Sequence, residues 1–233
     1  TSNFWYSEEY INGLPPNRLP AETGNKKIIK ACNILNRMHK ETLKKVPFHK
    51  YISNISERLE KKIHINTQLS KNTKDSLSSI VKKIVILLEN NMEEFINLAN
   101  AHGDFHQGNI LTDKDETWIL DWEHSGEKSL TYDLVIFLLD SRIENGFSSR
   151  FIKIIENELS DLKKEICLSW PKINWDNSRF RLTSLLIFLL EDIEFYLEET
   201  SNKLFFKKNN TLVRRCDEIC EIMKHISNKI KSI

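Results

Sequence analysis

At 233 residues the chain has room for one large domain or two small ones, and its 40% hydrophobic share supports a packed core and argues against global disorder. Lysine and arginine number 34 against 33 acids, a net charge of +1 that gives no electrostatic reason to expect a nucleic-acid partner. The longest apolar run, Leu185 to Leu190, is too short to cross a membrane.

No signal-peptide pattern opens the sequence, so the expectation is a soluble, cytoplasmic protein with reduced thiols at Cys32, Cys167, Cys216 and Cys220. Cys216 and Cys220 are four apart on a helical stretch but have no histidine or third cysteine at ligand spacing, which favours buried thiols over zinc.

The first dozen residues, with Phe4, Trp5, Tyr6 and Tyr10, read as an extended segment that Gly13, Pro15 and Pro16 break into a linker. From Lys27 to Lys40, Ile28, Ala31, Cys32, Leu35 and Met38 recur at helical spacing, and Pro47 closes that stretch. A second helical pattern, Leu77, Ile80, Val81, Ile84, Leu87, Leu88 and Phe95, follows Asn72, Thr73 and Asp75, which suit a helix start. Between Ala101 and Glu123 the period shortens. Residues 109–112 and 118–121 are β-prone runs joined by polar residues 113–117, a hairpin with a five-residue loop. Helices are then expected over Leu134 to Arg142, Phe151 to Leu162, Arg181 to Glu199 and Thr211 to Ile230. In the last, Leu212, Cys216, Ile219, Met223, Ile226 and Ile230 form a seam suited to packing within the domain or to a dimer zipper.

With Leu111 opposite Ile119, Asn109 falls opposite Asp121, where directly opposed side chains have Cβ atoms roughly 4.5–5.5 Å apart. An amide oxygen and a carboxylate are hard ligands suited to Mg2+, which leaves much of its shell to water and phosphate. Five residues upstream of Asn109 stands Asp104, in a loop that Gly103 and Gly108 allow to turn sharply. A carboxylate there can accept the proton of an acceptor hydroxyl. Asp and Asn in glycine-flanked loops also cap turns, but a lone capping role does not account for HGDxxxxN followed by a hairpin and an apolar-Asp run.

The run His102-Gly103-Asp104-Phe105-His106-Gln107-Gly108-Asn109-Ile110-Leu111, followed by Ile119-Leu120-Asp121-Trp122-Glu123, resembles the aminoglycoside phosphotransferase and choline kinase-like family. The resemblance implies a protein-kinase-like fold, mainly α with a small β-hairpin, with an ATP cleft between a small and a large lobe. It implies Asp104 as catalytic base, Asn109 and Asp121 as magnesium ligands, and Leu111 as an apolar floor under adenine. His102 and Asp133, the latter in Tyr132-Asp133-Leu134, are implied as structural supports of the loop. Gln107 stands where the family commonly has proline. Upstream, Glu9, Tyr10 and Ile11 resemble the hinge whose backbone binds adenine, and residues 33–39 resemble a helix ending in a Leu-His-like pair, with His39 a packed helix-end histidine. The cofactors implied are Mg2+ and ATP, with GTP left open.

On this resemblance residues 1–16 are the last strand of the small lobe and the hinge, and residues 17–233 are the helical C-terminal lobe, with the catalytic loop and metal hairpin at 102–123. The N-terminal lobe is expected to be absent, to be supplied in cis or in trans. The six glycines, at 13, 24, 103, 108, 126 and 146, spell neither a GxGxxG nor a GxxxxGK[ST] loop. The acceptor is expected to be a small molecule with a hydroxyl group, aminoglycoside-, amino alcohol- or sugar-like. Glu191, Asp192, Glu194 and Glu198 form either an acidic wall for a cationic acceptor or a solvated helix face. Against the enzyme stands a kinase-like module, weak or inactive in catalysis, that only binds a nucleotide or a partner.

Overall fold

Pro47 ends one element and begins the next, closing strand β1 (Lys44–Pro47) and standing at the N-cap of helix α2 (Phe48–Ile65) with φ −59°. α2 is absent from the elements expected above, yet its buried Phe48, Ile52, Ile55, Leu59 and Ile63 keep one apolar stripe along its length. The computed structural model describes residues 12–90, 93–140, 146–201 and 210–231.

Helix α1 (Ala21–Thr42) is longer at both ends than its apolar period indicates. Helix α3 (Lys71–Glu89) starts at Ser70, whose hydroxyl accepts the Thr73 amide, before the Asn72–Asp75 stretch. Phe95 does not belong to that helix: it opens strand β2 (Phe95–Ala101). β2 is the centre of an antiparallel sheet of order β1-β2-β5, where β5 is Gly126–Ser129. The register pairs Lys44 with Leu98, Leu98 with Ser129, and Ala101 with Gly126. The edge strands, KKVP and GEKS, carry no hydrophobic period of their own, so backbone pairing to β2 defines them.

The second sheet is the hairpin β3 (Ile110–Asp113) and β4 (Glu116–Ile119). Its register corrects the expectation: Ile110 faces Ile119, Leu111 faces Trp118, and Asp113 faces Glu116, so the loop is two residues, not five. Lys114 adopts φ +46°, the backbone a tight hairpin turn demands, and the ammonium groups of Lys27 and Lys30 bond the Lys114 and Asp115 carbonyls. A one-residue shift exchanges the two faces of a strand, so Asn109 and Asp121 are not a directly opposed pair.

Helix α4 (Tyr132–Leu138) is buried along its whole length. The helix expected over 151–162 is two, α5 (Phe147–Ile155) and α6 (Asp161–Ser169), parted at Asn157 with φ +61°. Helices α7 (Ser178–Ser201) and α8 (Asn210–Lys231) complete the layer, and Leu212, Cys216, Ile219, Met223 and Ile226 of α8 are buried with α3, α5 and α7 beside them. That seam packs within the chain. One continuous core runs from Ile28 to Ile226. Among the described residues Cys32, Cys167 and Cys216 are buried and Cys220 is exposed, and no helix is long and apolar enough to cross a membrane.

Candidate active site

β2 delivers the chain to His102, and α4 holds it there. Asp133, in the first turn of α4 and fully buried, accepts the His102 amide through Oδ2 at 2.7 Å and the Gly103 amide through Oδ1 at 2.9 Å. The buried His39 ring, in the last turn of α1, brings its Nε2 to 3.2 Å from Oδ2. A buried carboxylate needs such donors to replace the hydration it has lost. His39 is therefore packed, against Trp170, and also linked to the loop through Asp133, a connection its position at a helix end did not reveal.

Gly103 has φ +89°, and a Cβ built on it would lie 2.1 Å from the His124 carbonyl oxygen. Only a residue without a side chain lets the two loops approach this closely. His102 joins them a second time. Its Nδ1 accepts the Asp104 amide at 3.2 Å, which leaves the proton on Nε2 to be donated to the Leu120 carbonyl at 2.7 Å. The Trp122 ring covers it, with centroids 4.5 Å apart.

Asp104 is half-buried, and Asn109 is in direct contact with it, donating Nδ2–H to the Asp104 carbonyl at 2.9 Å and lying 3.4 Å from Oδ2. His106 Nε2 lies 3.5 Å from the same oxygen, with the ring set by the Gly108 amide donating to Nδ1 at 3.0 Å. With its nitrogen committed, Asn109 turns Oδ1 away, and among the described residues this oxygen meets no protein donor. Asp121 reaches the same loop cluster by another route than cross-strand opposition. The Leu120 amide donates to the Asn109 carbonyl at 2.9 Å, and the next residue, Asp121, leaves the strand in the left-handed conformation, φ 66° and ψ 60°. Aspartate tolerates that region at a cost of about 1–2 kcal/mol, strain of the kind found at functional sites. Its carboxylate is exposed and meets no protein donor among the described residues. Two hard oxygen ligands without protein partners suit Mg2+.

Leu111 is half-buried on β3, and beside it Leu14 and Thr112 exchange both backbone hydrogen bonds, at 2.9 and 3.0 Å. The hinge expected at Glu9, Tyr10 and Ile11 lies outside the described residues.

In the acidic half of α7, Glu191, Asp192 and Glu194 are buried and partnered, and Glu198 is exposed. Glu191 is buried and accepts from the Ser129 amide (2.6 Å), the Ser129 hydroxyl (2.6 Å) and the Tyr51 hydroxyl (2.7 Å); burial still pushes its carboxyl up. Asp192 is buried 3.5 Å from Arg215. Glu194 accepts Arg58 Nε and Nη2 at 2.9 and 3.0 Å and Lys62 Nζ at 2.8 Å. Burial works to raise its pKa, but these hydrogen bonds win and hold it at about 2. Glu198 pairs with Lys62. Tyr51, Arg58 and Lys62 lie on α2 and Ser129 on β5, two elements missing from those expected, so the fate of Glu191 and Glu194 was not legible. The contact of Asp104 with Asn109 was legible from their five-residue spacing, and Asp133 entered only through the family resemblance.

A phosphotransferase enzyme family model matches residues 30–165. Comparison with curated proteins finds no significant match. Among solved structures, a choline kinase from Cryptosporidium parvum Iowa II is 13% identical with a TM-score of 0.58, covering 95% of this chain and 71% of its own. A choline/ethanolamine kinase family protein from Mesorhizobium loti is 16% identical, TM-score 0.45, covering 94% of this chain and 72% of its own. A glucosamine kinase is 11% identical, TM-score 0.36, covering 92% and 55% respectively. At these identities the first likeness speaks for the fold. With the matched model spanning more than half of the sequence and including the whole loop from His102 to Asp133, the chain belongs to the phosphotransferase enzyme family.

Proposed function

We propose that the chain is the catalytic large lobe of an ATP-dependent phosphotransferase that moves the γ-phosphoryl group to a hydroxyl of a small molecule, with a small lobe supplied in cis or in trans. One observation carries this reading: Asn109 Oδ1 and the Asp121 carboxylate are oxygen ligands without protein donors, beside an Asp104 carboxylate held by its own loop. Asn109 and Asp121 would hold Mg2+, which when bound supplies charge neutralisation and orientation of the nucleotide phosphates. Asp104 accepts the acceptor's hydroxyl proton as that oxygen bonds to phosphorus and the bond to the leaving diphosphate breaks. The left-handed backbone at Asp121 and the close approach of the two loops at Gly103 support this reading, since both restrain the chain that carries the base and the proposed metal ligands. Leu111, with the Leu14–Thr112 bridge beside it, suits an apolar contact to the adenine ring.

Calorimetry of ATP with the wild-type chain, Asp121→Asn and Asp104→Asn tests this. Binding should need Mg2+, weaken about tenfold or more in Asp121→Asn, and persist in Asp104→Asn, while transfer falls roughly 10²–10⁴-fold in the latter. ATP binding indifferent to Mg2+ and to Asp121 would sink the reading.

A further inference from the structure

Between α2, β1, β5 and α7 lies a cleft of about 490 Å3, with Lys50, Asn54, Arg58 and Lys128 on its walls and Glu191 and Glu194 within it. All the carboxylates at this cleft have donors. Glu191 has the Ser129 amide, the Ser129 hydroxyl and the Tyr51 hydroxyl; Glu194 has Arg58 and Lys62; Glu127 has Lys44. The cations are less committed. Lys50 has no acidic partner among the described residues, while the Lys128 ammonium lies over the Tyr132 ring, 5.5 Å from its centroid, and offsets part of the charge of the buried Glu191 without a hydrogen bond to it. Arg58 gives Nε and Nη2 to Glu194, and its side chain is 49% exposed, so Nη1 remains available to the cleft. Lys50, Asn54 and Arg58 follow one another at four-residue intervals on one face of α2, a ridge of N–H donors facing Lys128 across the opening.

We propose that this cleft binds an oxyanion, a phosphate or carboxylate group on a sugar-like acceptor, and discriminates against an ammonium group. An incoming ammonium meets carboxylates whose charge is already offset by neighbouring donors and cations, whereas an oxyanion meets Lys50, for which the described residues supply no acidic partner. The cleft is walled by β5, whose partner strand β2 leads into the loop that carries Asp104. Glu127 on its wall faces Asn100, and Asn100 precedes Asp104 by four residues, a chain span of at most roughly 14 Å. The acceptor this predicts is a sugar-like hydroxyl compound that carries one anionic group away from the hydroxyl presented to Asp104. This inference rests on the reading of Asp104 as the base; the anion preference of the cleft does not.

The test is binding to the full chain without nucleotide, by calorimetry, of D-glucose 6-phosphate, D-gluconate, D-glucosamine and D-glucose. The two anions should bind about tenfold more tightly than the neutral and cationic sugars, and whichever is tighter identifies phosphate or carboxylate as the group preferred. Lys50→Glu should weaken the anion about tenfold and Lys128→Gln several-fold, with Lys40→Glu, outside the cleft, without effect. Circular dichroism verifies that each variant is folded. Tighter binding of glucosamine, no binding of either anion, or anion binding unmoved by Lys50→Glu and Lys128→Gln would each overturn the proposal. Mg-ATP binding, titrated separately on the same samples, keeps the two readings apart: its loss counts against phosphoryl transfer, and loss of anion selectivity counts against the cleft.

Discussion

Asp133 holds Gly103 from 30 residues further along the chain, its Oδ1 accepting the Gly103 amide at 2.9 Å while Oδ2 takes the neighbouring His102 amide. The relationship is what makes the loop rigid without any regular structure of its own. Both amides are given to this one buried carboxylate, which serves where a sheet or helix would otherwise be needed.

Asp133→Asn should expose that dependence. An amide offers one oxygen to two buried N–H groups and turns its own N–H toward one of them or toward His39. The expected cost is about 2–4 kcal/mol, read as a melting temperature lower by roughly 5–15 °C. An unchanged melting temperature would mean that the loop is held by something else.

Gly103→Ala attacks the same loop from its other side. The substitution forces a side chain at φ +89° and places it 2.1 Å from the His124 carbonyl oxygen, which is backbone and has no rotamer to yield with. Strain of about 1–3 kcal/mol from the dihedral alone is expected, with the Trp122–His124 turn displaced as well. Because Asp121 caps that turn, Mg-dependent ATP binding should fall along with stability. A variant that loses stability yet binds Mg-ATP as tightly as wild type would uncouple the turn from the metal ligands.

The loop was readable because it is local: Asp104 and Asn109 are five residues apart, and no tertiary knowledge is needed to bring them into contact. The hairpin was readable as a hairpin, but its register depended on a two-residue turn whose left-handed position is Lys114, a residue that does not announce such backbone. The acidic helix was misleading for the opposite reason. The partners of Glu191 and Glu194 are Ser129, Tyr51, Arg58 and Lys62, between 62 and 140 residues away, and no local pattern records a contact of that span. β1 and β5 escaped notice because four mixed-polarity residues become a strand only when β2 is beside them.

His102→Gln separates the two jobs of the imidazole. The histidine accepts from Asp104 N–H and donates to Leu120 O at once, tying the base's loop to the strand end that carries Asp121. Glutamine can make one of these bonds at a time and removes the ring that Trp122 covers. Stability should fall by about 1–3 kcal/mol, and the turnover number should fall by more than the loss of Mg-ATP affinity. Equal loss in both would place the effect on nucleotide binding instead.

Acid should unfold the protein through Glu194, against an opposing contribution from Glu191. Glu194 is held at about 2, below its ordinary 4.5, because hydrogen bonds from Arg58 and Lys62 outweigh burial. A depressed carboxyl stabilises the fold fully above its unfolded value, and the contribution is lost as pH falls from about 4.5 toward 2. Arg58 is 49% exposed, so solvent screens part of the interaction and roughly 1–3 kcal/mol is a fair span. Glu191 has the reverse sign: burial raises it, so its charged form weighs against folding above that raised value, and lowering the pH through it relieves the penalty. Stability should therefore be flat or slightly rising as pH falls toward 4.5 and then decline. Urea unfolding across that range should show Glu194→Gln less stable than wild type at pH 7 and the gap closing by about pH 2. A gap that stays constant with pH would mean that the Glu194 cluster contributes through packing and not through charge.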